Sequence, residues 1–174
     1  NLNYVSKRIE YFITNHPQNE DKLKLFFTAH GYRKLFPKMN GLEEKIPSLQ
    51  YFAIQVYITP LNLENPTIPN DLTGLIQNTK IKLEDYNIAT KKIILTLYGN
   101  KNTIQISKKK LERNAYILLL FTLGEIKYRK HIYDFNCEAL PQNTNGLLSL
   151  SELPEFIDYL AKINYSRKLK IFFE

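Results

Sequence analysis

The stretch on which the fold reading turns is Ala115-Tyr116-Ile117-Leu118-Leu119-Leu120-Phe121-Thr122-Leu123-Gly124-Glu125-Ile126-Lys127-Tyr128-Arg129-Lys130-His131-Ile132-Tyr133-Asp134-Phe135. Ala115–Phe121 is an unbroken apolar run of strand length. Gly124-Glu125 is a Gly-X pair of the kind that makes a type II′ turn, and 126–135 then reads as the return strand of a hairpin. Strand alternation would put Tyr128, Lys130 and Ile132 on one face and Lys127, Arg129, His131 and Tyr133 on the other.

Outward from this hairpin, more strands are expected. Residues 22–30 (KLKLFFTAH) open in alternation, residues 49–59 (LQYFAIQVYIT) are β-rich and close at Pro60, and residues 91–98 (KKIILTLY) precede a turn at 99–102 with a partner at 103–106. Residues 168–173 (KLKIFF) read as a last strand. Helices are expected where apolar residues recur at helical spacing. One is 4–15, with Val5, Ile9, Phe12 and Ile13 on a stripe that stops at His16-Pro17. Another is 151–163, opened by Ser151 and Glu152 with Phe156, Ile157 and Leu160 inward. Asn70 or Asp71 caps a short third helix to Gln77, weakened by Gly74. Residues 31–48, which hold Gly31, Pro37, Gly41 and Pro47, read as a long loop, and loops of that length are usually functional. Residues 141–146 read as a polar loop.

The expected fold is therefore mainly β: an antiparallel β-sandwich of about seven strands with two or three added short helices. A length of 174 residues fits a single domain spanning 1–174, with the helices at 4–15 and 151–163 as additions. The composition agrees. Apolar residues make up 44%, and 12 Tyr and 10 Phe with no Trp favour pleated surfaces. Cys137 is the one cysteine, so no internal disulfide forms. No run approaches the roughly 18 apolar residues of a spanning helix. Because the chain begins at Asn1 and not at Met, a processed or trimmed form is expected, from which a signal peptide or anchor could have been removed.

Catalytic patterns do not assemble. His16, His30 and His131 lack the i, i+4 spacing of a helical metal site, and Cys137 sits beside Glu138, which would raise a thiol's pKa. No P-loop and no G-x-G-x-x-G occurs. No cofactor, metal or small-molecule substrate is therefore expected. The net charge of +7 favours acidic partners, nucleic acid or an anionic surface. Two binding readings follow. One is a protein interface on 31–48, where Leu35-Phe36 among cations has the makeup of an anchor with a polar rim; the same pair could instead fold back beneath the loop as a satellite core. The other is a nucleic-acid module using the basic, aromatic 127–133 segment.

The run from Lys22 to about Phe135 also resembles the TssJ family, outer-membrane lipoproteins of the type VI secretion apparatus. The resemblance is carried by Pro47-Ser48-Leu49-Gln50-Tyr51-Phe52-Ala53-Ile54-Gln55-Val56-Tyr57-Ile58-Thr59-Pro60-Leu61 after a first strand and long loop, by the 70–77 segment, by the strand and turn at 91–102, by Ala115–Phe121, and by Tyr128-Arg129-Lys130. Family members usually carry Trp where this chain has Tyr128. The resemblance implies a non-enzymatic scaffold in the periplasm, held to the outer membrane by a lipid anchor on a trimmed N-terminal Cys. Its partner would be a TssM-like periplasmic domain, contacted through Tyr32, Arg33, Lys34, Leu35, Phe36, Pro37, Lys38 and Met39.

Overall fold

The computed structural model describes residues 6–16, 19, 21–61, 70–99 and 108–171. Seven strands occur among them: β1 (Glu10–Asn15), β2 (Leu23–Thr28), β3 (Phe52–Val56), β4 (Lys80–Asn87), β5 (Lys92–Gly99), β6 (Ile132–Ala139) and β7 (Leu148–Ser149). Four α-helices accompany them: α1 (Phe36–Glu43), α2 (Asn70–Asn78), α3 (Lys108–His131) and α4 (Leu153–Ile171). Short 3-10 turns at Arg33–Leu35 and Leu150–Glu152 lead into α1 and α4. No helix among the described residues is long and apolar enough to cross a membrane.

The seven strands among the described residues are not the seven expected, the sheets are mixed rather than antiparallel, and helix is more abundant than strand. One sheet has the order β1-β2-β3, with β1 antiparallel and β3 parallel to β2. The other has the order β6-β5-β4-β7, with β5 and β6 parallel. Parallel neighbours need a crossover rather than a tight turn. That requirement explains the two largest corrections. Residues 31–48 are not a loop, because the β2-to-β3 connection carries α1; and 115–122 with 126–135 is not a hairpin, because the β5-to-β6 connection carries α3.

The chain divides into two compact units, Asn1–Leu75 with Leu118–Arg129, and Ile76–Ile117 with Lys130–Glu174. In the first, the sheet has a helix on each face. Phe27 and Val56 join Ile9, Ala29 and Met39 of α1 in one buried cluster, edged by Leu25, Leu35, Leu42 and Ile54. On the opposite face Phe12 stacks on Phe26 at 4.8 Å, and Phe121 of α3 meets both rings edge-on at 5.9 and 6.1 Å. Pro37 in the first turn of α1 suits a helix start, since its missing N–H is unneeded there.

In the second unit Ile81, Ile93, Leu95 and Leu97 are buried along the paired strands β4 and β5. Ser149 caps the helical segment that follows: its N–H donates to Glu152 Oε2 at 2.6 Å in a capping box, two residues earlier than Ser151, the expected cap. His131 is buried, with Nδ1 3.0 Å from the Lys91 carbonyl oxygen. Glu84 accepts from Thr96 Oγ1 at 3.0 Å and pairs with Lys82 at 3.2 Å, and these contacts hold its carboxyl below the usual range.

Other expectations change as well. The helix expected over 4–15 is strand β1 across 10–15, while 1–5 lie outside the described residues. Tyr11, Phe12, Ile13 and Thr14 are aromatic or β-branched, and β2 offers them a full antiparallel register, so pairing overrides the helical stripe. The strand expected at 168–173 is helical as far as Ile171, continuing α4 through Lys and Leu, both good helix formers; 172–173 lie outside the described residues, as does the expected partner strand 103–106. Strand β4 was not anticipated, whereas α2 stands where expected. The helical state of 115–121 also replaces a hydrophobic strand on which the family resemblance partly stood.

Candidate functional site

The turn His30-Gly31-Tyr32, between β2 and the 3-10 turn, is the organising point of the first unit. His30 (φ 49°) and Gly31 (φ 69°) both take left-handed backbone conformations. The turn aims the alternate N–H groups of Ala29 and Gly31 at one acceptor, a nest-like arrangement. Here the acceptor is the protein's own Glu125, fully buried just after the break in α3 at Gly124 (φ 72°). Thr28 Oγ1 donates to Glu125 Oε2 at 2.7 Å and the Ile58 N–H at 3.2 Å; the N–H groups of Ala29 and Gly31 each lie 3.4 Å from Oε1. The His30 N–H completes the ring by donating to Thr28 Oγ1 at 3.0 Å. Donors from several segments converge on this one buried side chain, which ties the costly backbone conformations of the turn to the rest of the unit.

The nest fixes the next residue. Gly31 packs so closely against α3 that a Cβ there would overlap Arg129 Cβ. Tyr32 is thereby laid beside Arg129, whose guanidinium carbon lies 5.3 Å from the ring centroid, while that of Arg8 lies 4.9 Å from the same ring. Both arginines are exposed, and Tyr32 keeps 40% of its surface open. Guanidinium groups held over an aromatic face retain in-plane N–H edges, the geometry that grips carboxylate or phosphate in two-pronged fashion. Arg33 and Lys34 continue the exposed surface on the 3-10 turn. Beside them Glu10 Oε2 lies 3.2 Å from His30 Nε2, so the rim carries both signs of charge.

Of the residues expected at a partner surface, Tyr32, Arg33, Lys34, Pro37 and Lys38 are exposed. Leu35 packs against the buried cluster, and Phe36 meets the Tyr57 ring edge-on at 5.3 Å. Met39 is fully buried in the core. Leu35 and Phe36 are thus both half-buried. Tyr57 (φ 69°) ties this packing together: its hydroxyl donates to Asn40 Oδ1 at 2.6 Å, and burial, with Glu125 and Glu43 nearby, pushes its pKa up.

Arg8 was not singled out from the sequence, and Arg129 was read only as part of the basic 127–133 segment and of the family resemblance, not as a partner of Tyr32. Arg129 belongs to a basic cluster that is evident on inspection, but a strand reading gives it the wrong neighbours. Arg8 carries no local signal, because its relation to Tyr32 exists only once β1 pairs with β2. Cys137 is half-buried, and burial, followed by the charge of Glu112, raises its thiol pKa, the reverse of an activated nucleophile. Among the described residues no group of three or more His, Cys, Asp or Glu could hold a metal ion. No family model, curated protein or solved structure matches this chain.

Proposed function

We propose that this chain is a non-enzymatic binding protein that docks an acidic face of another protein through Tyr32, Arg8 and Arg129, with Arg33 and Lys34 extending the contact. The observation that carries the reading is the convergence of two guanidinium groups from distant segments on one half-open tyrosine ring. Arginine and tyrosine together are the residue types enriched at the energetic centres of protein interfaces. The neighbouring Glu10 favours a protein over a polyanion, since an interface of mixed charge suits a mixed partner and repels a continuous phosphate backbone. Within this reading the secretion scaffold is the particular form that the family resemblance supplies: a periplasmic, outer-membrane-anchored protein whose partner is a TssM-like periplasmic domain.

The test is a partner fished by cross-linking from the native cell and then purified, with a TssM-like periplasmic domain as the first candidate, and titrated against wild type and the Arg8→Ala/Arg129→Ala double variant. The double variant is expected to bind at least about tenfold more weakly, while its melting temperature stays close to wild type because both side chains are exposed. Unchanged affinity would place the interface elsewhere. Tight binding of a mixed-sequence single-stranded oligonucleotide, weakening with a log–log salt slope of about −0.7 per phosphate contacted, would move the function to nucleic acid.

A further inference from the structure

The two sheets end on four edges, and three of them are guarded. β7 is a two-residue strand, too short to template another. β6 carries Asp134 and Glu138, so pairing with itself would bring like charges together. β3 ends where Tyr57 turns to φ 69°, with the Gln55 amide folded back to donate to the Tyr57 carbonyl at 3.1 Å and to Thr59 Oγ1 at 2.8 Å. β1 is different. Its sequence, Glu-Tyr-Phe-Ile-Thr-Asn, has no proline, lysine or bulge, and no strand among the described residues pairs with its outer side. Tyr11 is 60% exposed and Ile13 49% exposed, and as i, i+2 residues they stand on one face of the strand.

We propose that a second copy of this chain covers this edge, the two β1 strands pairing antiparallel about a twofold axis at Phe12. A twofold interface must be self-complementary, and this register is. It sets Tyr11 opposite Ile13 of the second copy and Ile13 opposite its Tyr11, giving two aromatic–β-branched cross-strand pairs on the same face. Glu10, the strand's only charge, falls opposite the neutral Thr14. Centring the axis on Ile13 instead puts Tyr11 against Asn15 and loses both pairs. A slip of half that size places outward residues opposite inward ones. The edge is short compared with the roughly 1,200 Å² that a stable complex buries, so the dimer is weak and reversible.

Sedimentation velocity of the full chain from about 5 to about 500 µM, in reductant so that Cys137 cannot cross-link, tests this. Wild type is expected to shift from monomer toward dimer across that range. Ile13→Lys and Tyr11→Lys should each raise the dissociation constant at least about tenfold, because an outward lysine blocks edge pairing. Both sites are open to solvent, and matching circular-dichroism melts would show the variants folded; Ile13→Thr, which keeps strand propensity, serves if a lysine variant does not fold. Wild type that stays monomeric at the top concentration overturns the proposal, and so does a dimer that the β1 variants leave unchanged. The Arg8→Ala/Arg129→Ala variant should dimerise like wild type, so the dimer and the docking surface succeed or fail separately.

Discussion

Glu125 has no exposed surface, and its carboxylate serves as the internal counterpart to a ring of backbone and hydroxyl donors drawn from the ends of β2 and β3. Removing the carboxylate strands those donors in a dry interior, at about 1–3 kcal/mol for each one left unsatisfied. Glu125→Ala is therefore expected to lower stability by about 3 kcal/mol or more, read from urea unfolding. Glu125→Gln should lose roughly half as much, because one oxygen still accepts while the amide nitrogen faces N–H donors. Equal, small losses in both variants would show that water replaces the carboxylate. The same variants connect to function, because the nest sets the turn that presents Tyr32 to Arg129. None of this is visible in the sequence, where Glu125 reads as the second residue of a turn. A short-range pattern cannot reveal that its partners lie 67 to 97 residues away.

At the scale of elements, α3 and α1 carry the lesson. In the Leu118-Leu119-Leu120 run Leu119 and Leu120 are buried and Leu118 is half-buried on a helix, and a continuous apolar run has no periodicity to separate helix from strand. Gly124 was legible as a break, and it is one, but it kinks a helix instead of closing a hairpin. At that kink a Cβ would meet Pro60 Cδ at 2.7 Å and the Ile58 carbonyl oxygen at 3.1 Å. Gly124→Ala should therefore cost about 2 kcal/mol or more, adding left-handed strain to overlap. Gly41→Ala, in α1 with nothing within 4 Å of the added methyl, should instead stabilise by about 0.5–1 kcal/mol. A thermal-melt comparison checks the opposite signs. Around α1, Leu35, Met39, Leu42 and Ile46 are spaced i, i+4, i+7 and i+11, a helical stripe that runs past both ends of the helix beneath glycines and prolines that suggest a loop.

Across the whole molecule, the net charge of +7 should act on the encounter with an acidic partner rather than on the lifetime of the complex. Stopped-flow or surface-resonance kinetics should show the association rate falling as salt rises from about 0.05 to 0.3 M, with dissociation nearly unchanged. A dissociation rate that climbs steeply instead would indicate a bound state held mainly by phosphate-like contacts. The sequence by itself determined the apolar, aromatic-rich core, the places of β2, β3, β5 and α2, the amphipathic helix after residue 150, and the basic surface at residues 32–34. These are properties of composition, or of patterns a few residues long. Only the tertiary structure decided that β2–β3 and β5–β6 run parallel, which turns a loop and a hairpin into helical crossovers. It also brought Arg8, Tyr32 and Arg129 together over a buried Glu125. The physical reason is the same in each case: strand direction and clustered charge depend on contacts between segments far apart in the chain, and local propensity carries no term for them.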